Sequence, residues 1–377
     1  MIPIKLEHLF SPGKIGTVQI KNRIVRCATY EGMARKYGLV SEDLINLYTE
    51  LARGGTGLII TGAIAVDETA AASSRQPFLY SDEYIEGQKK LVKAVHDQSD
   101  VKIAAQLVHP GRQGFHPKYP NVAPSPIKDP ITNVVPKELT EEEIRVIMKK
   151  FVDASRRAYE CEYDMVQLHA AHGYLLSNFL SPYTNRRSDD FGGDIQKRTK
   201  ILVDIYNLLR DEIGKNFPIT VKLQTDDEIP EGLTVNEAAE IVKIITATGY
   251  DAIEPSGGIS ESRKRNKNPL ASKRIKSPEE ENYLLPTAKK LKPIMGKCSL
   301  ILMGGIKRAE SAENFLQEKT TDFIGMCRPL IYEPDLPNRW RNGDHAPARC
   351  ISCNGCFTTL FNNPLYCVTK KKLESKK

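Results

Sequence analysis

Two histidines and a tyrosine fall within six residues of the segment "LHAAHGYLLSNFLSP", residues 168–182. His169, His172 and Tyr174 could be metal ligands, satisfied polar groups of a core, or the wall of an active site. A metal site needs a further ligand nearby, and no acidic residue lies within the motif. A core site needs many hydrogen-bond partners for three polar side chains at a strand end. These requirements favour an active site.

Polar residues near the ends of other apolar segments point to the same kind of site. Gln106 and His109 end one such segment, and Lys222 lies between Val221 and Leu223 in another. Because an isolated buried lysine is costly, Lys222 is expected to face an anion or a polar ligand. The alternative is a lysine whose ammonium reaches the surface.

Two glycine turns near the end of the chain indicate a phosphate site. Gly304 and Gly305 follow one apolar run, and Gly325 and Arg328 belong to the next, "GMCRPL". Backbone amides at glycine turns, a helix start and a guanidinium together make a phosphate cradle. The sequence therefore predicts a phosphorylated cofactor here.

These residues lie on a regular alternation of short β-branched runs and longer amphipathic segments. Eight strands, each followed by a helix, predict an α/β fold of the (β/α)8 TIM-barrel type, with the catalytic groups at the carboxyl ends of the strands. A doubly wound sheet is the competitor, but "RCATYEGMA" lacks the G-x-G-x-x-G turn. The predicted strands are 23–28, 57–62, 102–109, 164–169, 219–224, 251–255, 300–305 and 322–327.

Local signals complete the predicted architecture. Thr140 and Glu143 form a capping box at the start of a helix over 140–160. "LFSPGKIGTVQIKNR" predicts a small N-terminal hairpin that caps the bottom of the barrel. The domain prediction is a cofactor-binding (β/α)8 barrel over 1–342 and a Cys-rich extension with a basic tail over 343–377.

Composition and charge exclude several classes of protein. The chain has 377 residues, 40% hydrophobic and 27% charged, as in a globular protein with a full core. Of the net charge of +7, the segments 260–278 and 370–377 carry +6 and +4, which leaves the remainder at −3. A mildly acidic body is not a nucleic-acid groove, and the lysine-rich end is expected to be solvated and disordered. Without a signal-length or membrane-length apolar run, the expected location is the cytoplasm, with no membrane partner.

Four cysteines near the C-terminus form a separate signal. Cys350, Cys353, Cys356 and Cys367 have the spacing C-x2-C-x2-C-x10-C, whereas the other four cysteines stand singly in apolar segments. Without a secretory signal, such a group predicts a metal site rather than disulfides. Four thiolates suit an iron–sulfur cluster or structural zinc, and a metal-free remnant is the third alternative.

The basic segment 260–278 follows the sixth predicted strand, at the face where the active site is expected. We hypothesise that it binds an anionic group, such as a phosphate, of a cofactor or substrate. The alternative is a solvated lid.

Together these pieces resemble the Old Yellow Enzyme family of FMN-dependent oxidoreductases. The resemblance extends from Leu9 to about Arg339. It depends above all on the long motif "HAAHGYLLSNFLSPYTNRRSDDFGGD", whose continuation "NRRSDDFGG" is highly specific. The other matching segments are "KNRIVRCATYEGMA", "GGTGLIITGAIAV", "QLVHPGRQG", "APSPI", "GGI" and "GMCRPLIYEPDLP".

The resemblance implies FMN as cofactor and a role for each site residue. His169 and His172 match the pair that binds the substrate carbonyl, and Tyr174 matches the proton donor. Gln106 matches the residue that hydrogen-bonds the flavin pyrimidine, and Lys222 matches the cation near flavin N1–C2=O, where a positive charge favours the reduced, anionic ring. The remaining positions expected to bind the cofactor are Ala28, Thr29, Ala63, Gly304, Gly305, Cys327 and Arg328.

The implied reaction is ping-pong reduction of an activated alkene. NAD(P)H would reduce the flavin, and an electron-poor alkene or enoyl thioester would then accept the hydride at its β-carbon, while Tyr174 protonates the α-carbon. A homo-oligomer is compatible with the resemblance.

Departures from the family leave the substrate and the electron source open. Tyr30 occupies a place where relatives often carry Cys or Thr, which puts the flavin potential and the substrate size in doubt. "RCATYEGMA" and the cysteine segment are most similar to the bacterial 2,4-dienoyl-CoA reductase branch, whose segment ligates a [4Fe–4S] cluster with slightly wider gaps. The alternatives are a single-domain relative of those reductases or of amine-demethylating flavoproteins, supplied with electrons through the cysteines, and a non-catalytic flavin- or metal-binding scaffold.

Overall fold

A closed parallel barrel forms the body of the protein. The computed structural model describes residues 5–71, 73, 75–266, 272–361 and 363–376. In this part of the chain, eight strands close the barrel: each pairs in parallel with the next, and the last pairs with the first. The predicted TIM barrel is therefore confirmed. The strands are β1 Ile24–Arg26, β2 Leu58–Ile60, β3 Lys102–Val108, β4 Met165–Ala170, β5 Ile219–Asp226, β6 Ala252–Gly257, β7 Ser299–Leu302 and β8 Phe323–Met326.

Amphipathic helices connect the strands and bury their apolar faces against the outside of the barrel. The predicted capping box is present in α3, where Thr140 Oγ1 accepts from the Glu143 N–H at 3.2 Å and the Glu143 carboxylate accepts from the Thr140 N–H at 3.0 Å. The helices are α1 Glu42–Arg53, α2 Ile85–His96, α3 Glu141–Glu160, α4 Leu175–Leu180, α5 Ile195–Ile213, α6 Val235–Thr248, α7 Ser260–Arg265, α8 Leu285–Leu291, α9 Ala309–Gln317, α10 Arg328–Tyr332, α11 Leu336–Arg341, α12 Gly355–Thr358 and α13 Val368–Glu374.

The predicted N-terminal hairpin is also present. Gly13–Ile15 pairs antiparallel with Val18–Ile20. Ile15 and Ile20 are fully buried, and they join strand residues such as Phe323 in an apolar cluster separate from the one beneath the helices. The hairpin therefore shields the amino ends of the strands, and the opposite end remains for the site.

The C-terminal extension lies against the barrel. The Leu365 N–H donates to the Glu31 carbonyl at 2.8 Å, and Arg75 Nη2 donates to the Leu360 carbonyl at 2.9 Å. These contacts join the extension to the segments that follow β1 and β2. Within the described residues, no helix is both long and apolar enough to cross a bilayer.

The prediction of a disordered lysine-rich end is wrong for most of that segment. Residues 368–374 form α13, whose side chains are half-buried or exposed. The Lys371 ammonium lies 4.7 Å from the centre of the Tyr366 ring. Lysine, leucine and glutamate are good helix formers, so the segment is helical although it buries little apolar surface.

Candidate active site

One cavity of about 450 Å³ opens at the carboxyl ends of the strands and collects the residues that the sequence singles out. Each predicted catalytic or cofactor-binding residue of the barrel lines it. These residues are Ala28, Thr29, Ala63, Gln106, His169, His172, Tyr174, Lys222, Gly304, Gly305, Cys327 and Arg328.

The two histidines and the tyrosine form one wall of this cavity. His169 lies in β4, and His172 and Tyr174 lie in the turn between β4 and α4. The ring centres are 5.1 Å apart for His169 and His172, and 4.9 Å apart for His169 and Tyr174, with the rings meeting edge to face. The three polar side chains are therefore adjacent and face the same cavity.

The turn that presents His172 has an unusual backbone held by two glutamines. His172 has a φ of 65°, in the left-handed region that a residue with a Cβ seldom adopts. Its N–H donates to Gln224 Oε1 at 2.8 Å, and its carbonyl accepts from Gln113 Nε2 at 2.8 Å. Gln224 in turn donates to Asp227 Oδ1 at 3.0 Å. Neighbouring strand ends therefore stabilise this turn.

Burial determines the protonation states of the two histidines and the tyrosine in this wall. It is the largest cause that lowers the pKa of both His169 and His172 well below the usual range, and the Lys222 charge adds to it in both cases. Both imidazoles are therefore neutral at pH 7. The Ala171 N–H donates to His169 Nδ1 at 3.4 Å, which assigns the His169 proton to Nε2. Burial also raises the pKa of Tyr174, which therefore keeps its proton.

A chain of buried polar groups crosses the floor of the cavity. Lys222 Nζ lies 2.5 Å from Glu254 Oε1, and both side chains are almost fully buried. Gln167 Nε2 donates to Glu254 Oε2 at 3.0 Å, and Gln106 Nε2 donates to Gln167 Oε1 at 2.6 Å. Burial is the largest single influence and acts against the Lys222 charge, but Glu254 together with Cys27 and Cys327 outweighs it, so the pKa of Lys222 is raised. Lys222 is therefore cationic, but it is paired within the chain.

Sequence reasoning missed Glu254 and Gln167, although both carry a readable signal. Each is a polar residue inside an apolar strand segment, as Lys222 is. The rule that singled out Lys222 would have found them, because a buried charge or amide needs a partner.

The opposite end of the cavity has the features of a phosphate site. Gly304 and Gly305 have φ values of 105° and 87°, a backbone path that favours glycine. The buried Arg328 guanidinium donates from Nη1 to the Ser352 carbonyl at 3.1 Å and to Asn354 Oδ1 at 2.7 Å. Cys327 Sγ lies 2.6 Å from Thr29 Oγ1 on the adjoining wall. The glycine turn and Arg328 are therefore placed together, as predicted.

The donor set fits FMN. Gln106 and Lys222 offer an amide and an ammonium to the oxygen-bearing edge of a flavin, and Ala28 and Ala63 leave room for a flat ring. The glycine turn and Arg328 offer backbone amides and a guanidinium to its phosphate.

Tyr30 and the C-terminal extension complete the rim. The Tyr30 hydroxyl donates to Ser73 Oγ at 2.6 Å, and its ring lines the cavity. Ser352, Phe357 and Leu360 of the extension line it too. The extension therefore forms part of the substrate or cofactor wall, which the sequence did not predict.

The basic segment 260–278 divides into inner and outer residues. Arg263 of α7 lines the cavity, whereas Lys264 and Arg265 are exposed. Residues 267–271 of this segment lie outside the described residues.

The four C-terminal cysteines differ from one another in exposure. Cys350 and Cys356 are buried, Cys367 is half-buried and Cys353 is exposed. Among the described residues, no group of three or more His, Cys, Asp or Glu side chains is placed to hold a metal ion. Burial raises the pKa of the metal-free Cys356 thiol to about 12, so a bound metal would have to displace this proton. This arrangement of thiols does not fit a metal ligand set, and the iron–sulfur or zinc site stays a prediction.

Comparisons with known proteins agree with this barrel and cavity. The profile of the NADH:flavin oxidoreductase / NADH oxidase family matches residues 8–346. The chain is 36% identical to an NADH oxidase of Thermoanaerobacter brockii, with 93% of this chain and 53% of that protein covered. It is 30% identical to the 4,4'-dithiodibutanoate disulfide reductase of Rhodococcus erythropolis, with 97% and 96% covered.

A solved structure shows the same fold. The Old Yellow Enzyme homologue of Zymomonas mobilis superposes with a TM-score of 0.76 at 26% identity, over 91% of this chain and 94% of that one. The chain spans about half the length of the first curated relatives that it matches. With the family profile over nearly the whole barrel and the matching fold, the chain belongs to the NADH:flavin oxidoreductase / NADH oxidase family, the family of Old Yellow Enzyme.

Proposed function

We propose that this protein is an FMN-dependent NAD(P)H oxidoreductase that reduces activated C=C bonds. The observation that carries this proposal is the convergence of His169, His172 and Tyr174 over a cavity whose floor presents Gln106 and Lys222. Membership of a flavin oxidoreductase family supports the cofactor and the nicotinamide donor. A bound FMN would accept hydride from NAD(P)H and transfer it to the β-carbon of the alkene.

The two histidines hold the substrate carbonyl in this proposal. Negative charge grows on that oxygen as the β-carbon is reduced, and N–H groups aimed at it stabilise the charge. Neutral imidazoles suit this task because they donate without titrating near neutral pH. The assignment of the His169 proton to Nε2 leaves that N–H free to point at a ligand.

Tyr174 is the proton donor. It lies beside His169, and burial raises the pKa of its hydroxyl, so the proton is present throughout the neutral range. A carbonyl held by the histidines would bring the α-carbon of an enone within reach of this hydroxyl. Tyr174 therefore serves as general acid to the α-carbon.

Substitution of Tyr174 with phenylalanine tests the assignment. In stopped-flow measurements with 2-cyclohexenone, Tyr174→Phe should retain FMN and its reduction by NADPH or NADH. Its alkene half-reaction should fall by roughly 10²- to 10⁴-fold, the usual contribution of a positioned acid. Tyr183→Phe, which alters a tyrosine outside the cavity, is the matched control. An unchanged alkene half-reaction in Tyr174→Phe would exclude this role, and a protein that takes up no flavin would exclude the function as a whole.

A different electron donor is the second candidate. It is favoured by the position of the extension, whose Ser352, Phe357 and Leu360 line the same cavity. Turnover with NADPH or NADH alone supports the nicotinamide donor. Turnover only with a reduced ferredoxin or flavoprotein would support the alternative.

A further inference from the structure

Arg263 is a further cation of the cavity lining, half-buried as a residue but with a buried Nε, and its surroundings differ from those of Lys222. It projects from α7 into the cavity that His172 and Tyr174 also line. Gln113, which accepts from Arg263 and donates to the His172 carbonyl, links the guanidinium to the turn that carries Tyr174. A positive charge at this depth requires a counter-charge or a full set of hydrogen bonds.

The described part of the chain does not supply a complete set. Arg263 Nη2 donates to Gln113 Oε1 at 2.5 Å and to Ser260 Oγ at 2.9 Å, both neutral oxygens. Arg263 Nε is buried and, within the described residues, has no hydrogen-bond partner. Lys222, by contrast, is paired with Glu254.

Within the described residues, no carboxylate makes a hydrogen bond or an ion pair with Arg263. Both oxygens of Glu261 accept from the fully buried Arg112, at 2.8 and 2.7 Å, and Asp129 lies 3.8 Å from the same guanidinium. On the cavity wall, Glu228 pairs with Lys273 at 3.0 Å. Glu261 and Asp129 therefore act on Arg263 only as nearby charges, and neither makes a hydrogen bond to its guanidinium among the described residues.

Ion pairs and hydrogen bonds hold Arg263 and its helix in a fixed position. The bidentate Arg112–Glu261 pair ties α7 to the segment after β3. Gln113, which accepts from Arg263, also donates to the carbonyl of His172. One amide therefore connects the arginine with the histidine turn, and the guanidinium is held at a set distance from the reacting groups.

We propose that Arg263 binds a carboxylate carried by the substrate, so that the preferred alkenes are unsaturated carbonyl compounds with an anionic group. This inference rests on the proposed function and names its substrate class. A carboxylate is a strong acceptor for a guanidinium, and within the described residues Nη1 of Arg263 donates no hydrogen bond, whereas Nη2 is used by Gln113 and Ser260. The link through Gln113 to the histidine turn favours the substrate over the phosphate of the nicotinamide nucleotide, although the two anions share this chemistry.

A matched pair of substrates tests the proposal. We would compare 4-oxopent-2-enoate with its methyl ester in the wild-type holoenzyme, in Arg263→Ala and in Arg263→Lys. Arg263→Ala should raise KM for the carboxylate about 10- to 100-fold, the contribution of hydrogen bonds to a charged group, and leave KM for the ester within about twofold. Arg263→Lys should recover part of the loss. The neighbouring, exposed Lys264→Ala is the control and should match the wild type.

Further measurements separate the remaining explanations. Equal losses for acid and ester, or a lower kcat for both with unchanged KM, would show that Arg263 only supports the histidine turn or Tyr174, and would overturn the proposal. A rise in KM confined to NADPH, absent for NADH, would assign the site to the nucleotide phosphate. If the wild type reduces neither alkene, calorimetric binding of benzoate against benzamide to the oxidised holoenzyme still decides the issue. Preference for benzoate that is lost in Arg263→Ala supports the carboxylate site, and equal binding rejects it.

Discussion

The strand ends of the barrel and the C-terminal extension both contain reactive side chains, but they organise them differently. In the cavity, the turn of His172 and the ammonium of Lys222 are each held by buried hydrogen bonds or an ion pair. In the extension, Cys353 is exposed while Cys356 is buried, and the thiols share no metal-like arrangement. Barrel strands therefore orient functional groups through their own ladder, whereas the extension is joined to the barrel by separate hydrogen bonds from mostly irregular backbone.

This contrast explains why one prediction was easy to make and the other stays untested. Residues at the ends of neighbouring parallel strands must converge, whatever they bind. Cysteines on a short irregular segment converge only when a bound metal offsets the entropy of ordering the loop. The spacing of the four cysteines thus predicts only that they could bind a metal. The positions at the strand ends predict that the side chains lie close together.

Breaking the Lys222–Glu254 ion pair under the cavity should have the largest effect on stability. Lys222→Met leaves the Glu254 carboxylate buried without its partner, which should cost about 3–5 kcal/mol in the free energy of unfolding. The double variant Lys222→Met/Glu254→Gln removes both charges and should recover most of that loss. Urea unfolding of flavin-free samples measures both, and equal destabilisation of the single and double variants would refute the pairing.

A pH dependence should arise from Asp227, which supports Gln224 behind the histidine turn. Burial is the main cause that raises the pKa of Asp227 from 3.8 to about 6. Because the folded state binds the proton more tightly, the contribution of this group to stability is present below about pH 4 and is lost as the pH rises through 6, by roughly 3 kcal/mol.

Asp227→Asn isolates this contribution. The stability of the wild type relative to the variant should decline between pH 4 and 6 and level off above that range, as measured by thermal unfolding at fixed ionic strength. Glu231→Gln, which alters an exposed carboxylate four residues further along the chain, is the control. A parallel pH profile for wild type and Asp227→Asn would contradict the raised pKa.

The smallest expected effects on stability are those of cysteine substitutions in the extension, and they test whether the extension binds a metal. Without metal, Cys356→Ser buries a hydroxyl and should cost about 1–3 kcal/mol, whereas the exposed Cys353→Ser should change stability by less than about 0.5 kcal/mol. If the thiols hold iron or zinc, both variants should lose the metal and be destabilised alike. Elemental analysis and absorbance near 400 nm, which an iron–sulfur cluster gives and zinc does not, accompany the unfolding curves.

Several features could be predicted from the sequence. They are the alternation of strands and helices, the N-terminal hairpin, the capping box at Thr140 and the common location of the twelve barrel site residues. Apolar periodicity and turn residues encode local elements, and a closed parallel barrel then brings every strand end to one face. The disorder predicted from the lysine-rich composition was wrong for α13. The charge pattern there predicts disorder, whereas the helix propensity of the same residues predicts a helix.

Tertiary structure decided which polar groups pair. Lys222 meets Glu254, 32 residues away, because β5 and β6 are neighbours in a register that puts these two residues opposite each other. Arg263 reaches the cavity because Arg112 engages Glu261, 149 residues away, and anchors α7. Such contacts depend on strand register and on helix placement across the barrel, which a residue's sequence neighbours do not specify. The sequence determined where the chemistry lies, and the fold determined which charges remain for a ligand.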